Sequence, residues 1–158
     1  MTRSHKIIAL GVFVVACYAA AGIGGYATAG SVSGWYQTIK RPSFQPPDWL
    51  FGPVWTVLYG LMAVAAWLVY VKTARVRSVP MMLFATQLVL NVAWSIIFFG
   101  LHRPGLAVID IALLLAAIIA TTIAFWRVSR PAGALMLPYL GWVIFASILN
   151  VSIWRLNA

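Results

Sequence analysis

The sequence predicts an all-α integral membrane protein, a bundle of five transmembrane helices with a long capping loop between the first and the second. Three observations carry this. Hydrophobic residues make up 63% of the 158 and charged residues 8%, with a mean hydropathy of +0.96, whereas about a quarter of a soluble domain is charged. Five stretches are free or nearly free of Asp, Glu, Lys and Arg. The longest connection between them is filled with prolines and aromatic residues rather than with linker residues.

The five stretches are 7–29, 49–71, 79–101, 106–126 and 132–154. Each has ~20 residues or slightly more, which at ~1.5 Å per residue crosses a hydrocarbon core of ~30 Å. The first exceeds the ~7–15 apolar residues of a secretory signal and is followed by four more spans, so it reads as a retained helix. No linker or soluble appendage interrupts the chain, and residues 1–158 read as a single transmembrane domain. The net charge of +9 comes from Lys and Arg scattered over helix ends and short loops. That distribution suits a membrane protein and gives no nucleic-acid surface. Arg3, Lys6, Lys72, Arg75, Arg77, Arg127 and Arg130 fall on one side, against Lys40, Arg41, Arg103 and Arg155 on the other. In a bacterial cell membrane this bias puts the N-terminus inside.

The first helix closes in a small-residue half, AAAGIGGYATAG. Ala21, Gly25 and Ala29 recur every four residues, a nearly bare face that serves close helix packing or the approach of a flat ligand. Gly34 then breaks the helix. The loop from Gly30 to Asp48 has Pro42, Pro46 and Pro47 among Trp35 and Phe44, and each proline removes a donor and extends its predecessor. It is expected to fold over one end of the bundle as a cap, its aromatic rings anchored at headgroup level. Lys40, Arg41 and Asp48 stand at its rim, available to an acidic ligand group or to each other.

In the second helix Trp49, Pro53, Thr56, Gly60, Ala63 and Trp67 follow the spacing of one face. The third carries Gln87, Asn91 and Ser95 one turn apart, amides that either bond between helices or share a pocket with Trp94. On the fourth, Asp110 is an intramembrane carboxylate, with the helix N-terminus, Arg103 or a neighbouring helix to neutralise it. Ala112, Ala116, Ala120 and Ala124 form a smooth ridge, for contact within the monomer or across a dimer. The fifth aligns Pro138, Trp142, Phe145, Ala146, Leu149 and Ile153, an aromatic wall beside a gap, with Asn150 behind them.

No catalytic constellation assembles from these residues. His5 and His102 lie far apart, Cys17 is the one cysteine, and Asp48 and Asp110 are the only acids. Neither a metal site nor a cofactor is expected, nor is a nucleotide-binding glycine loop present.

The blocks WYQTIKRPSFQPPDWLFGPVWTVLYG, QLVLNVAWSIIFFG and LPYLGWVIFASILNVSIWRLN resemble, in order and spacing, the motif blocks of the TspO/MBR family of tryptophan-rich sensory and translocator proteins. The resemblance implies homodimers and a pocket under the first loop for porphyrins such as protoporphyrin IX, for similar flat drugs and, in animal members, for cholesterol. By motif position it implies a binding set of Gly25, Tyr26, Trp49, Phe51, Gly52, Trp55, Asn91, Trp94, Asp110, Trp142, Ala146 and Leu149, with propionates toward Lys40 and Arg41. The role implied is that of a porphyrin receptor with a sensory or regulatory part in tetrapyrrole or stress metabolism. Light- and oxygen-dependent porphyrin breakdown, with Trp55 and Trp142 as the reactive positions, is a second reading. Transport of tetrapyrroles or lipids is a third. The family's sterol pattern needs a tyrosine that the stretch LNVSIWR (Leu149 to Arg155) lacks, so sterol binding receives no support here.

Overall fold

The computed structural model describes residues 1–158. Five long helices cross the molecule: α1 (Arg3–Val32), α3 (Asp48–Thr73), α4 (Val79–Ser95), α5 (Pro104–Val128) and α6 (Arg130–Asn157). A single turn, α2 (Trp35–Thr38), lies in the first loop, and α4 continues into a π-helical turn, Ile96–Gly100. All five are long and apolar enough to span a bilayer. Helices are the natural solution there, because each satisfies its own backbone groups where no water can.

Four of the spans extend beyond the apolar runs read from sequence, by up to four residues at the start of α1. Hydropathy measures only the hydrocarbon-facing part, while a helix continues through the headgroup layer as long as its ends are satisfied. At the start of α1 the Thr2 hydroxyl accepts from the His5 amide (3.3 Å), and further along the Lys6 carbonyl accepts from Trp67 Nε1 (2.8 Å). The first loop shortens accordingly, since Gly30 to Val32 belong to α1 and Asp48 opens α3.

Packing contacts order the helices as a ring, α1, α3, α6, α5, α4 and back to α1. The half of the ring away from the first loop is filled by side chains such as Cys17, Met62, Ala66, Val69, Phe125 and Tyr139, each fully enclosed. Within this apolar core lies one polar chain. Tyr59 Oη donates to Asn91 Oδ1 (3.0 Å), Asn91 Nδ2 to Tyr139 Oη (2.6 Å), and Tyr139 Oη to Gln87 Oε1 (2.7 Å). Two residues of the predicted amide stripe are thus interhelical connectors, joining α3, α4 and α6 where each unpaired polar group would carry a desolvation penalty.

The alanine ridge of α5 makes no equivalent contact: Ala112 and Ala116 are exposed on the outer surface. Close approach occurs instead at the α5–α6 corner. There a Cβ on Gly133 would lie 2.8 Å from Trp126 Cα and 2.6 Å from its ring. Gly133→Ala should therefore cost ~1–3 kcal/mol through overpacking, whereas Gly11→Ala, which meets nothing within 4 Å, should stay within ~0.5 kcal/mol. Thermal unfolding of the two variants in detergent checks the difference.

Candidate functional site

Between the polar chain and the first loop the ring is hollow. A cavity of about 360 Å³ lies among α1, α3, α4 and α6, and α5 contributes nothing to its wall. On α1 it extends from Val32 to Tyr18, a depth of ~21 Å at ~1.5 Å per residue. Its wall is mainly aromatic and small: Phe51, Trp55, Trp94, Phe98 and Trp142 face Ala21, Gly24, Gly25 and Ala146. The aromatic groups brace one another, Phe51 on Trp142 (5.8 Å between centroids), Trp55 on Tyr59 (5.7 Å) and Trp94 stacked on Phe98 (5.2 Å).

The π-helical turn explains the density of rings on α4. The Leu101 amide reaches back to the Ile96 carbonyl (2.8 Å) and the Arg103 amide to that of Ile97 (3.1 Å). This wider turn brings both Phe98 and Phe99 to the wall that Trp94 occupies, where a regular helix would present one of them. Trp94 is fixed from behind, its Nε1 donating to Asn150 Oδ1 while Asn150 Nδ2 donates to the Pro104 carbonyl, each at 2.9 Å. Trp142 differs: its indole N–H is enclosed and has no acceptor.

The loop closes the wide end of the cavity and is fastened on three sides. On α3, Asp48 accepts from Gln37 Nε2 (2.8 Å), Gln45 Nε2 (3.1 Å) and Arg41 Nη1 (3.4 Å), the last being the only ion pair in the molecule. A carboxylate in the first turn of a helix is also favoured by the helix dipole. On α6, Asn157 pairs reciprocally with the Lys40 backbone, accepting from its amide (3.0 Å) and donating to its carbonyl (2.8 Å). At the α4–α5 hairpin, His102 stacks on Trp35 (4.5 Å) and bonds Ser31 Oγ through Nε2 (2.9 Å). Ser31 donates its single proton to the Phe99 carbonyl, so His102 Nε2 is the donor. The left-handed backbone of His102 (φ 55°) is held in place by these contacts.

Of the residues singled out from sequence, Gly25, Phe51, Gly52, Trp55, Asn91, Trp94, Trp142, Ala146 and Leu149 line the cavity. Tyr26, Trp49 and Asp110 do not. Tyr26 follows Gly25 by one residue, a turn of ~100° about the helix, and is 89% exposed on the outer surface. Trp49 is six residues from Trp55, ~240° away after a full turn, and is 72% exposed. Asp110 is buried on the excluded helix α5, with Oδ2 enclosed and unpaired, and neither Arg103 nor any other cation pairs with it. Lys40 and Arg41 also stand outside the cavity. Arg41 is engaged with Asp48 on the outer face of the loop, beside a shallow polar groove, and the Lys40 backbone is tied to Asn157.

The sequence reading missed Tyr18, Tyr36, Tyr59, Phe98 and Phe99. Tyr59 and Phe98 lie four residues after Trp55 and Trp94, so helical spacing would have found both. Nothing in the composition signals the π turn that brings in Phe99.

Residues 13–155 match the sequence pattern of the TspO/MBR family. The chain belongs to the TspO/MBR family. It is 43% identical to the tryptophan-rich protein TspO of Chlorobaculum tepidum, over 98% of this chain and 99% of the relative. It is 41% identical to the human translocator protein, over 78% of this chain and 75% of that one. Identity to protein CrtK of Rhodobacter capsulatus is 37%, over 92% and 91%. Membership and the five spans make this a multi-pass integral membrane protein with a sensory or binding role.

The loop carries its own titration signature. Burial pushes the Tyr36 hydroxyl up to about 12, with Asp48 adding to the rise and the Arg41 guanidinium, 5.3 Å from the ring centroid, opposing it. The folded value lies above the ordinary 10.0, so the docked loop keeps the contribution of Tyr36 below that pH and loses it as pH climbs toward about 12. Protection across 33–47, the intrinsic exchange rate at each pH divided by the observed rate, should fall over that window, and Tyr36→Phe should abolish the fall.

Proposed function

We propose that the cavity binds protoporphyrin IX and similar flat hydrophobic molecules, and that occupancy serves a sensory or regulatory role in tetrapyrrole or stress metabolism. The carrying observation is the wall itself: tryptophans from three different helices, Trp55, Trp94 and Trp142, enclose about 360 Å³ beside small residues. That volume falls in the range of small-molecule sites, ~300–1,000 Å³, and indoles favour flat partners through offset or edge-on contact. The unpartnered indole N–H of Trp142 supplies a donor for a polar atom of the ligand, and an unsatisfied enclosed donor is costly when left alone.

The ligand's acidic groups would lie toward the loop, where Lys40 has no acidic partner and Arg41 is shared with Asp48. Lys40 is therefore the free cation for a ligand carboxylate, while Arg41 stays engaged with Asp48. A second reading, light- and oxygen-dependent breakdown of the bound porphyrin, draws support from Trp55 and Trp142 both lining the cavity. Each is an oxidisable ring on the cavity wall.

Titration of the detergent-solubilised protein with protoporphyrin IX in the dark should give saturable tryptophan quenching. Trp55→Ala and Trp142→Ala should each weaken it by ~1–2 kcal/mol, about five- to thirtyfold in Kd, while Tyr26→Ala and Trp49→Ala should bind as the parent does. Equal affinity in all four would remove the cavity as the site. Illumination then separates the readings. A stable porphyrin spectrum supports the receptor, and an oxygen-requiring loss of the spectrum supports the enzyme.

A further inference from the structure

The cavity is closed unevenly. At the loop it is sealed by the Asp48 bonds, the Asn157–Lys40 pair and the Ser31–His102–Trp35 contact. The seam between α1 and α3 is sealed only in part. Away from the loop the two helices are joined by the Trp67–Lys6 hydrogen bond, by Phe13 against Tyr70 (5.7 Å) and by Tyr18 Oη donating to the Thr56 carbonyl (2.8 Å). Gly60 makes room for that phenol, since a Cβ there would lie 3.1 Å from Tyr18 Oη. Between Tyr18 and the loop, no such bond crosses the seam.

What stands there instead is Gly25 and Ala29 on α1 and Gly52 on α3. All three line the cavity and all three are exposed. A Cβ built on Gly25 or Gly52 would meet nothing within 4 Å. Neither glycine contributes a side chain to cover the seam at this level. Gly25 lies seven residues inside the end of α1, ~10 Å along the helix, and within the apolar run 7–29, which faces it toward the bilayer rather than the aqueous side of the loop.

We infer that the α1–α3 seam between Tyr18 and the loop is a lateral portal, through which a flat apolar molecule dissolved in the bilayer passes into and out of the cavity while the loop stays fastened. This rests on the reading that the cavity takes such a ligand. The chemistry is consistent on both sides. A molecule that partitions into hydrocarbon is concentrated beside the seam, and it enters without crossing water or undoing the polar contacts of the loop. Bare glycine on both edges leaves no side chain to be moved aside, and Tyr18 fixes the lower edge.

The test follows protoporphyrin IX binding to the protein in phosphatidylcholine liposomes by stopped-flow tryptophan quenching. Gly52→Leu and Gly25→Leu should slow both association and dissociation, about tenfold, because both directions share one bottleneck, whereas a leucine that merely crowded the site would slow association and speed dissociation. Asn157→Ala, which releases the loop from α6, should leave both rates unchanged. Faster exchange in Asn157→Ala together with unaltered rates in the leucine variants would place the route through the loop and overturn the proposal.

A measurement without ligand keeps the portal separate from the binding reading. In a Cys17→Ala background, a nitroxide at Ala146→Cys reports from the cavity wall of α6, where Ala146 is buried. Oxygen dissolved in the bilayer should relax it more than an aqueous nickel chelate does, and Gly52→Leu should reduce the oxygen effect. Stronger relaxation by nickel, or none by either, overturns the portal even if protoporphyrin binds. Strong oxygen relaxation without saturable porphyrin quenching would retain the portal and dismiss the porphyrin.

Discussion

Within a bilayer every polar group must find its partner inside the protein, and the rest of this structure follows from how the chain meets that constraint. Backbone groups are satisfied by five helices, and side-chain groups by the chain from Tyr59 through Asn91 and Tyr139 to Gln87. That chain joins α3, α4 and α6 at one level. Below it the ring is packed solid, and above it the same helices enclose a cavity whose floor includes Tyr59 and Asn91. The polar connection is therefore also the boundary of the site: it fixes the distance between the helices that hold Trp55, Trp94 and Trp142 while using none of those rings itself.

Irregular backbone cannot lie in hydrocarbon, so the proline-rich segment is confined to the end of the bundle. It is held there by side chains that replace the hydrogen bonds of regular structure. Asp48 gathers three donors from the loop, and Asn157 extends the end of α6 into a two-bond pairing with the Lys40 backbone. With Asp48 satisfied in this way, the single ion pair of the molecule acts as a fastening for the cap, and its Arg41 is no free anchor for an anion. Buried Tyr36 then packs against Phe98 and Phe99, which makes the cap and the aromatic wall of α4 one continuous body.

Much of this was legible in the sequence because hydrocarbon thickness is a strict ruler. The five spans and the capping loop were read from hydropathy and proline content alone. Helix ends were less legible, since they depend on local partners such as Thr2 and Trp67. The site divided along the same line. Asn91 of the amide stripe and Trp142 of the α6 face are identified by helical spacing, and they line the cavity with Trp55 and Trp94, which motif position supplies. Motif position points to Tyr26 and, together with the spacing of Trp49, Pro53 and Thr56, to Trp49, yet both are exposed outside the cavity, because spacing identifies a face of a helix without saying which way it turns. Motif position also implies Asp110, an intramembrane carboxylate, yet it lies on α5, a helix that backs α4 and α6 and has no share in the cavity. The π turn could not be read at all: IIFFG contains no residue that forces it, and it is stabilised by tertiary contacts such as Ser31 with the Phe99 carbonyl.

Affinity and access are assigned to different parts of this fold. Rings from α3, α4 and α6 contribute the contact area, and these helices are cross-linked to one another by hydrogen bonds. Small residues come mostly from α1, which touches the bundle through α3 and α4 but has no packing contact with α5 or α6 beyond the weakest. Its side-chain ties to α3, at Trp67, Tyr70 and Thr56, all lie away from the loop. At the loop end α1 is held through Ser31 to the Phe99 carbonyl and His102 rather than to α3, so the seam with α3 can widen without breaking a bond that positions Trp55, Trp94 or Trp142. A site of this kind can be rigid where it recognises and yielding where it admits, and the α1 face built of Gly25 and Ala29 is the sequence feature that separates the two.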